Sequence, residues 1–167
     1  MKTRPRVADH AQLDLEHFLP YRLSVLSNRV SSAIAREYSQ RFGLGVTQWR
    51  VIAVLGRYPD LSASEVAQRT AMDKVAVSRA VASLFAAGRL QREVHDDDRR
   101  RSVLRLSEAG HRIFDEVAPL ALAFEQRVLE GMDAAERTLL FRLLDRLDEL
   151  EWQAEAKEPA RASDASD

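Results

Sequence analysis

The chain has 167 residues, 46% apolar and 31% charged, with 25 Lys and Arg against 26 Asp and Glu. That length suffices for one domain with a real core, or for a small domain flanked by dimerisation helices. There is no cysteine, which excludes disulfides, thiolate metal sites and cysteine redox sensing; no apolar run nears the roughly 20 residues that span a bilayer.

Residues 1–12, MKTRPRVADHAQ, are polar, carry Pro5 and lack the apolar stretch of a signal peptide. The expectation is a flexible N-terminus on a cytoplasmic protein without a membrane partner. Leu15–Leu19 then leads into a first helix, about Pro20–Phe42, with Pro20 tolerated in its first turn. Leu23, Leu26, Val30, Ala33, Ile34 and Tyr38 recur along it at helical spacing, and Gly43 and Gly45 end it. Thr47 is expected to cap a second helix, Gln48–Tyr58, with Trp49, Val51, Ile52, Val54 and Leu55 as its apolar residues. Ser62 and Glu65 have the spacing of a capping box, opening a short helix over about Ala63–Thr70. A tight turn at Ala71–Asp73 follows, and Asp73 is a good N-cap for the next helix. Val75, Ala76, Ala80, Val81 and Leu84 are available for that helix's inner face, with Lys74, Ser78 and Arg79 left outside. Gly88 stops it.

Two short strand-like segments come next, Leu90–Val94 and Ser102–Leu106, joined by the charged turn His95, Asp96, Asp97, Asp98, Arg99, Arg100 and Arg101. Ser107 caps a long helix, about Glu108–Gly131, in which Ile113, Val117, Leu120, Phe124 and Val128 share a face. Pro119 lies inside it; because the apolar period continues past the proline, a kink is expected and not a break. Asp133 and Glu136 form another capping-box pair before a last helix, where Leu140, Leu143, Leu147 and Leu150 make a narrow seam suited to a partner helix. From Ala154 the composition is that of a disordered acidic tail.

Net charge is −1, yet its distribution is polarised. Between Lys74 and Arg105 eight bases face four acids, whereas from Asp145 onward eight acids face three bases. A polyanion meets local charge, so the basic segment is compatible with DNA.

Two short helices with a three- to four-residue turn make a helix-turn-helix, and a charged hairpin behind the second supplies a wing. In LSASEVAQRTAMDKVAVSRAVASLFAAGRLQRE and DDRRRSVLRLSEAG, residues 44–110 resemble the winged helix of the MarR family of bacterial transcription regulators. Asp98, Arg100, Leu106, Ser107 and Gly110 stand where that family has its wing Asp, the Arg two residues on, and the Leu-Ser/Thr-x-x-Gly ending. The fold class implied is mainly α with a small β-wing. The division expected is 13–43 as N-terminal dimerisation helix, 44–107 as winged helix, 108–153 as C-terminal dimerisation helices and 154–167 as tail.

The resemblance implies a homodimer, a double-stranded DNA partner and a small-molecule effector. Ser78 and Arg79 match the family's recognition-helix pair; Lys74, Val75, Ala76 and Val77 lie where base edges and thymine methyls would be met. Arg100 matches the wing Arg that reaches toward the minor groove, Asp98 holds the hairpin, and Arg99 and Arg101 are phosphate partners. Ser62 and Ser64 could also donate to phosphate, although capping already explains Ser62. A two-fold dimer presents two recognition helices about 34–36 Å apart, so the operator expected is an inverted repeat. The effector lining expected is Tyr21, Ser27, Arg29 and Tyr38 with Trp49 and Arg50, where rings stack an aromatic group and an arginine pairs a carboxylate. LEHFLPYRLSVLSNRVS resembles the branch of the family that answers to aromatic carboxylates or acyl-CoA esters.

The four histidines, 10, 17, 95 and 111, have no ligand spacing, so no metal or other cofactor is expected. There is no cysteine nucleophile, Gly-rich phosphate loop or paired-acid context to suggest an enzyme, and the Ser, Asp and His content is ordinary. The alternative from another class is a helical dimeric protein-interaction module that does not bind DNA.

Overall fold

The computed structural model describes residues 13–94 and 102–150. Its elements run α1 (Leu19–Phe42), α2 (Val46–Arg57), α3 (Ala63–Thr70), α4 (Lys74–Ala86), β1 (Leu90–Val94), β2 (Ser102–Leu106), α5 (Glu108–Leu129) and α6 (Ala134–Asp148). The chain divides into two compact units, Met1–Glu125 and Gln126–Asp167, with α5 passing from the first into the second.

In the first unit, α1 carries Pro20 in its opening turn and ends at Gly43, whose φ of 61° lets its amide return to the Ser39 carbonyl at 2.9 Å. The expectation for α2 needs correction. Thr47 does not cap it; the helix starts at Val46 with Gly45 as N-cap, and Gln48 Oε1 reaches back to the Gly45 amide at 2.8 Å. A glycine N-cap has no side chain to offer the first helical amides, so only the half of the capping box in which Gln48 accepts the N-cap amide is formed. Its other end comes one residue early, at Arg57, because Tyr58 turns out of the helical region.

The turn into α3 and α4 follows its sequence signals. The Ser62 amide donates to Glu65 Oε2 at 2.7 Å, and the Glu65 amide donates to Ser62 Oγ at 3.2 Å. Ala71 sits at φ 50°, a left-handed position without glycine, and reverses the chain between the helices. Asp73 Oδ1 then accepts the Ala76 amide at 2.9 Å to open α4. Asp73→Ala is expected to cost about 1 kcal/mol in chemical denaturation, and Asp73→Ser much less, because serine caps nearly as well.

The core of this unit gathers Tyr38, Leu44, Val51, Ile52, Leu55, Val66, Leu104, Leu106, Ile113 and Val117 around the inner face of α4. That face is Val77, Ala80, Val81 and Leu84. Here too the reading is corrected: Val75 does not face inward but is 55% exposed, and Ala76 is half-buried. Val77, assigned to base edges, is 1% exposed and belongs to the core. Counting back from Ala80 and Leu84 by three or four residues gives position 77, not 75.

β1 and β2 pair antiparallel with Leu90 opposite Leu106 and Val94 opposite Ser102. A third segment joins them through an antiparallel bridge between Leu61 and Leu104, where the Leu104 amide donates to the Leu61 carbonyl at 2.8 Å. α5 remains helical on both sides of Pro119.

In the second unit, Asp133 and Glu136 form the expected reciprocal cap, with bonds of 2.9 Å each way. No residue of α6 is buried. Leu140 and Leu147 are half-buried, whereas Leu139, Phe141, Leu143, Leu144 and Leu150 are exposed. In the first unit, α1 likewise exposes Leu19, Leu23, Leu26 and Val30. Among the described residues no helix is long and apolar enough to cross a membrane.

Candidate nucleic-acid interface

The outer face of α4 is set by its inner one. With Val77, Ala80, Val81 and Leu84 committed to the core, Lys74, Val75, Ser78 and Arg79 are exposed together along the opposite side. Neither Lys74 nor Arg79 has an ion-pair partner among the described residues. A cation at Lys74, in the first turn, also stands at the wrong end of the helix dipole. Its position is poor for helix stability and good for meeting an anion.

Not every base in the basic segment is free for that task. The Arg89 guanidinium donates to the Phe42 carbonyl at the end of α1. Arg105 on β2 pairs with Asp60, before α3, and with Glu93 on β1. The hydrogen bond to Asp60, helped by the charge of Glu93, holds the guanidinium pKa above its ordinary value. Arg105 therefore ties the wing to the α2–α3 connection. Arg92 lies over the Phe85 ring at 5.3 Å. Asp98, Arg99, Arg100 and Arg101, expected at the wing tip, lie outside the described residues.

The effector candidates separate into two groups. Tyr38 and Trp49 meet with ring centroids 5.6 Å apart, and Trp49 stacks on Phe114 of α5 at 6.3 Å. Arg50 donates to Ser31 Oγ at 2.8 Å. Burial raises the Tyr38 phenol pKa, and the nearby Arg50 charge partly opposes that shift. Tyr21, Ser27 and Arg29 are exposed farther up α1. Seventeen helical residues separate Tyr21 from Tyr38, about 25 Å at helical rise, so one small ligand on one protomer does not touch both. Sequence reasoning missed Phe114 and Ser31, which carry no motif and join the cluster only through tertiary packing.

The end of the wing shows what its Leu-Ser-x-x-Gly pattern does. Ser107 Oγ donates to the Gly88 carbonyl at 2.7 Å and accepts the Gly110 amide at 3.1 Å. The Ser107 amide bonds the Arg89 carbonyl at 3.1 Å. A Cβ on Gly110 would stand 2.2 Å from that same carbonyl oxygen. The corner closes the wing onto the start of α5 and admits only glycine there.

A MarR family model matches residues 42–101, the segment that holds α2, the helix-turn-helix and β1. That match supports a MarR-family winged-helix regulator. Its curated relatives include the HTH-type transcriptional regulator BilQ of Clostridium symbiosum, 27% identical over 108 residues, 65% of this chain and 75% of that protein. A MarR/EmrR family transcriptional regulator from an Acinetobacter species superposes with a TM-score of 0.75 at 29% identity, over 81% of this chain and 96% of that one. Bordetella bronchiseptica BpsR, in a structure describing regulation of its DNA binding by 6-hydroxynicotinic acid, shares the fold with a TM-score of 0.72 at 21% identity, over 84% and 100%. These likenesses support a DNA-binding transcription regulator of the MarR type, with α3 and α4 as its helix-turn-helix and the β1–β2 hairpin as its wing.

Proposed function

We propose that this protein is a cytoplasmic homodimeric repressor of the MarR type, bound to an inverted-repeat operator and released from it by a small aromatic carboxylate or acyl-CoA ester. The observation that carries the DNA reading is the outer face of α4, where Lys74, Val75, Ser78 and Arg79 are exposed and the two cations are unpaired among the described residues. Arg79 and Ser78 meet the duplex in the major groove, with half-buried Ala76 beside them. Arg99, Arg100 and Arg101 act from the wing, which Asp98 steadies.

Dimerisation is supported by apolar side chains that the single chain leaves in water, on α1 and on α6. Residues 13–43 and 108–153 would then form the dimer, and 44–107 the DNA-binding lobe. The effector reading rests on the Tyr38–Trp49 contact beside Arg50, and on BpsR, a relative in fold whose DNA binding responds to an aromatic carboxylic acid. A ligand that prefers one spacing of the two lobes releases DNA by population shift, in proportion to its differential affinity.

Arg100→Ala tests the wing. It is expected to weaken operator binding by roughly tenfold while size-exclusion chromatography shows an intact dimer; unchanged affinity at physiological salt would remove Arg100 from the interface.

A further inference from the structure

With no cysteine in the chain, its sulfur is all methionine, at positions 1, 72 and 132. Met1 lies outside the described residues. Met72 stands in the reversal between α3 and α4, directly after Ala71 with its left-handed backbone. The Met72 amide donates to the Ala67 carbonyl at 3.2 Å, which fixes its backbone against the end of α3. Its side chain is half-buried and packs on the core. It also lines an open depression of about 280 Å³, together with Ser64, Ala67, Gln68 and Lys74. One thioether side chain thus borders both core and solvent. Around it stand buried Ala67 and three exposed donors, a hydroxyl, an amide and an ammonium, with no carboxylate in the lining. The adjacent carboxylate, Asp73, is committed to the Ala76 amide at 2.9 Å. A thioether is a weak acceptor and gives these donors little, whereas a sulfoxide is polar and accepts well.

From this placement we infer that Met72 is a site of reversible oxidation by a hypohalous acid, and that its sulfoxide turns toward Ser64, Gln68 and Lys74 and weakens DNA binding. The step is a two-electron oxygen transfer. A sulfur lone pair attacks the oxygen of hypochlorous acid; the S–O bond forms, the O–Cl bond breaks, sulfur is oxidised, chlorine is reduced, and chloride and a proton leave. The oxide is costly against the apolar core unless it is hydrogen-bonded, and turning into the depression supplies the donors. The turn between α3 and α4 then loses its core contact. The Lys74 ammonium is drawn off the exposed side of α4 that carries Ser78 and Arg79. This regulation rests on the DNA-binding reading above. Met132, in the α5–α6 connection of the second unit, is outside the helix-turn-helix and serves as the internal reference.

In the test, hypochlorous acid is added stepwise to the full-length protein and quenched with free methionine, and peptide mass spectrometry measures the sulfoxide at each methionine. Fluorescence anisotropy on a duplex from its own promoter region reads DNA binding in the same samples. Affinity is expected to fall roughly tenfold as the Met72 sulfoxide accumulates, with a lower thermal midpoint. Methionine sulfoxide reductases with a thiol reductant should restore both. Met72→Leu, which keeps the volume and removes the sulfur, should bind like the wild type and hold its affinity through the same treatment. Met132→Leu should lose affinity as the wild type does, and Met72→Gln should bind weakly without any oxidant. Met72 left intact while Met132 is converted overturns the site, as does full conversion with unchanged affinity or an equal loss in Met72→Leu. Failure of the untreated protein to bind the duplex would overturn the DNA reading by itself; the mass and the thermal midpoint would still decide whether Met72 is oxidised and the turn loosened.

Discussion

Gly110→Ala is expected to lower the unfolding free energy by about 3 kcal/mol, the upper part of the usual range for overpacking. The added methyl would stand 2.2 Å from the Arg89 carbonyl oxygen and 3.3 Å from the Leu106 Cβ. A flexible side chain would yield, but a backbone carbonyl cannot. That carbonyl already accepts the Ser107 amide, and the Ser107 hydroxyl is bonded on both sides. Relief therefore requires the Gly88–Arg89 turn and the start of α5 to part, with loss of the two hydrogen bonds that join them. Differential scanning calorimetry at fixed protein concentration should show a midpoint lower by roughly 6–12 °C. Gly131→Ala is the control, since a Cβ there meets nothing within 4 Å and the midpoint should hold or rise slightly. Equal midpoints for Gly110→Ala and wild type would show that the corner is not tightly closed.

Arg79→Ala should have the largest effect on DNA binding of any single substitution on α4. Losing a charge-assisted or bidentate contact costs about 1–3 kcal/mol per half-site, and a dimer loses it twice. Arg79 is exposed and unpaired among the described residues, so the fold should not notice the change. Arg79→Lys separates the two kinds of contact: lysine restores much of a phosphate contact but little of a bidentate one to guanine. The measurement is a titration of operator and single-base operator variants with both proteins. Affinity equal to wild type for Arg79→Ala would exclude the residue from the interface.

Much of this fold was legible because its elements announce themselves locally. Ser62 with Glu65, Asp73 and Asp133 with Glu136 each cap a helix as their spacing implies. The inner face of α4 was less legible. Val75 and Val77 are the same residue type two positions apart, and only the three-dimensional phase of the helix sends Val77 inward and leaves Val75 out. At α2 the hydroxyl of Thr47 suggested a cap, whereas an extended Gly45 and the back-bond from Gln48 fill that role. The candidate site divides in the same way. Lys74, Ser78 and Arg79 follow from one helix and its resemblance to the family. The Arg105 ties to Asp60 and Glu93, the Trp49–Phe114 stack and the Ser64–Gln68–Lys74 depression join segments far apart in sequence or on different helices. No periodicity within one element encodes them.

The most direct test of the central claim is binding of the purified protein to its own promoter DNA over a salt series. The account predicts tight binding to an inverted repeat, with log affinity falling linearly and steeply as log salt rises, as phosphate neutralisation requires. Absence of binding to any flanking DNA at low salt would contradict it and leave a helical dimer that works through protein contacts.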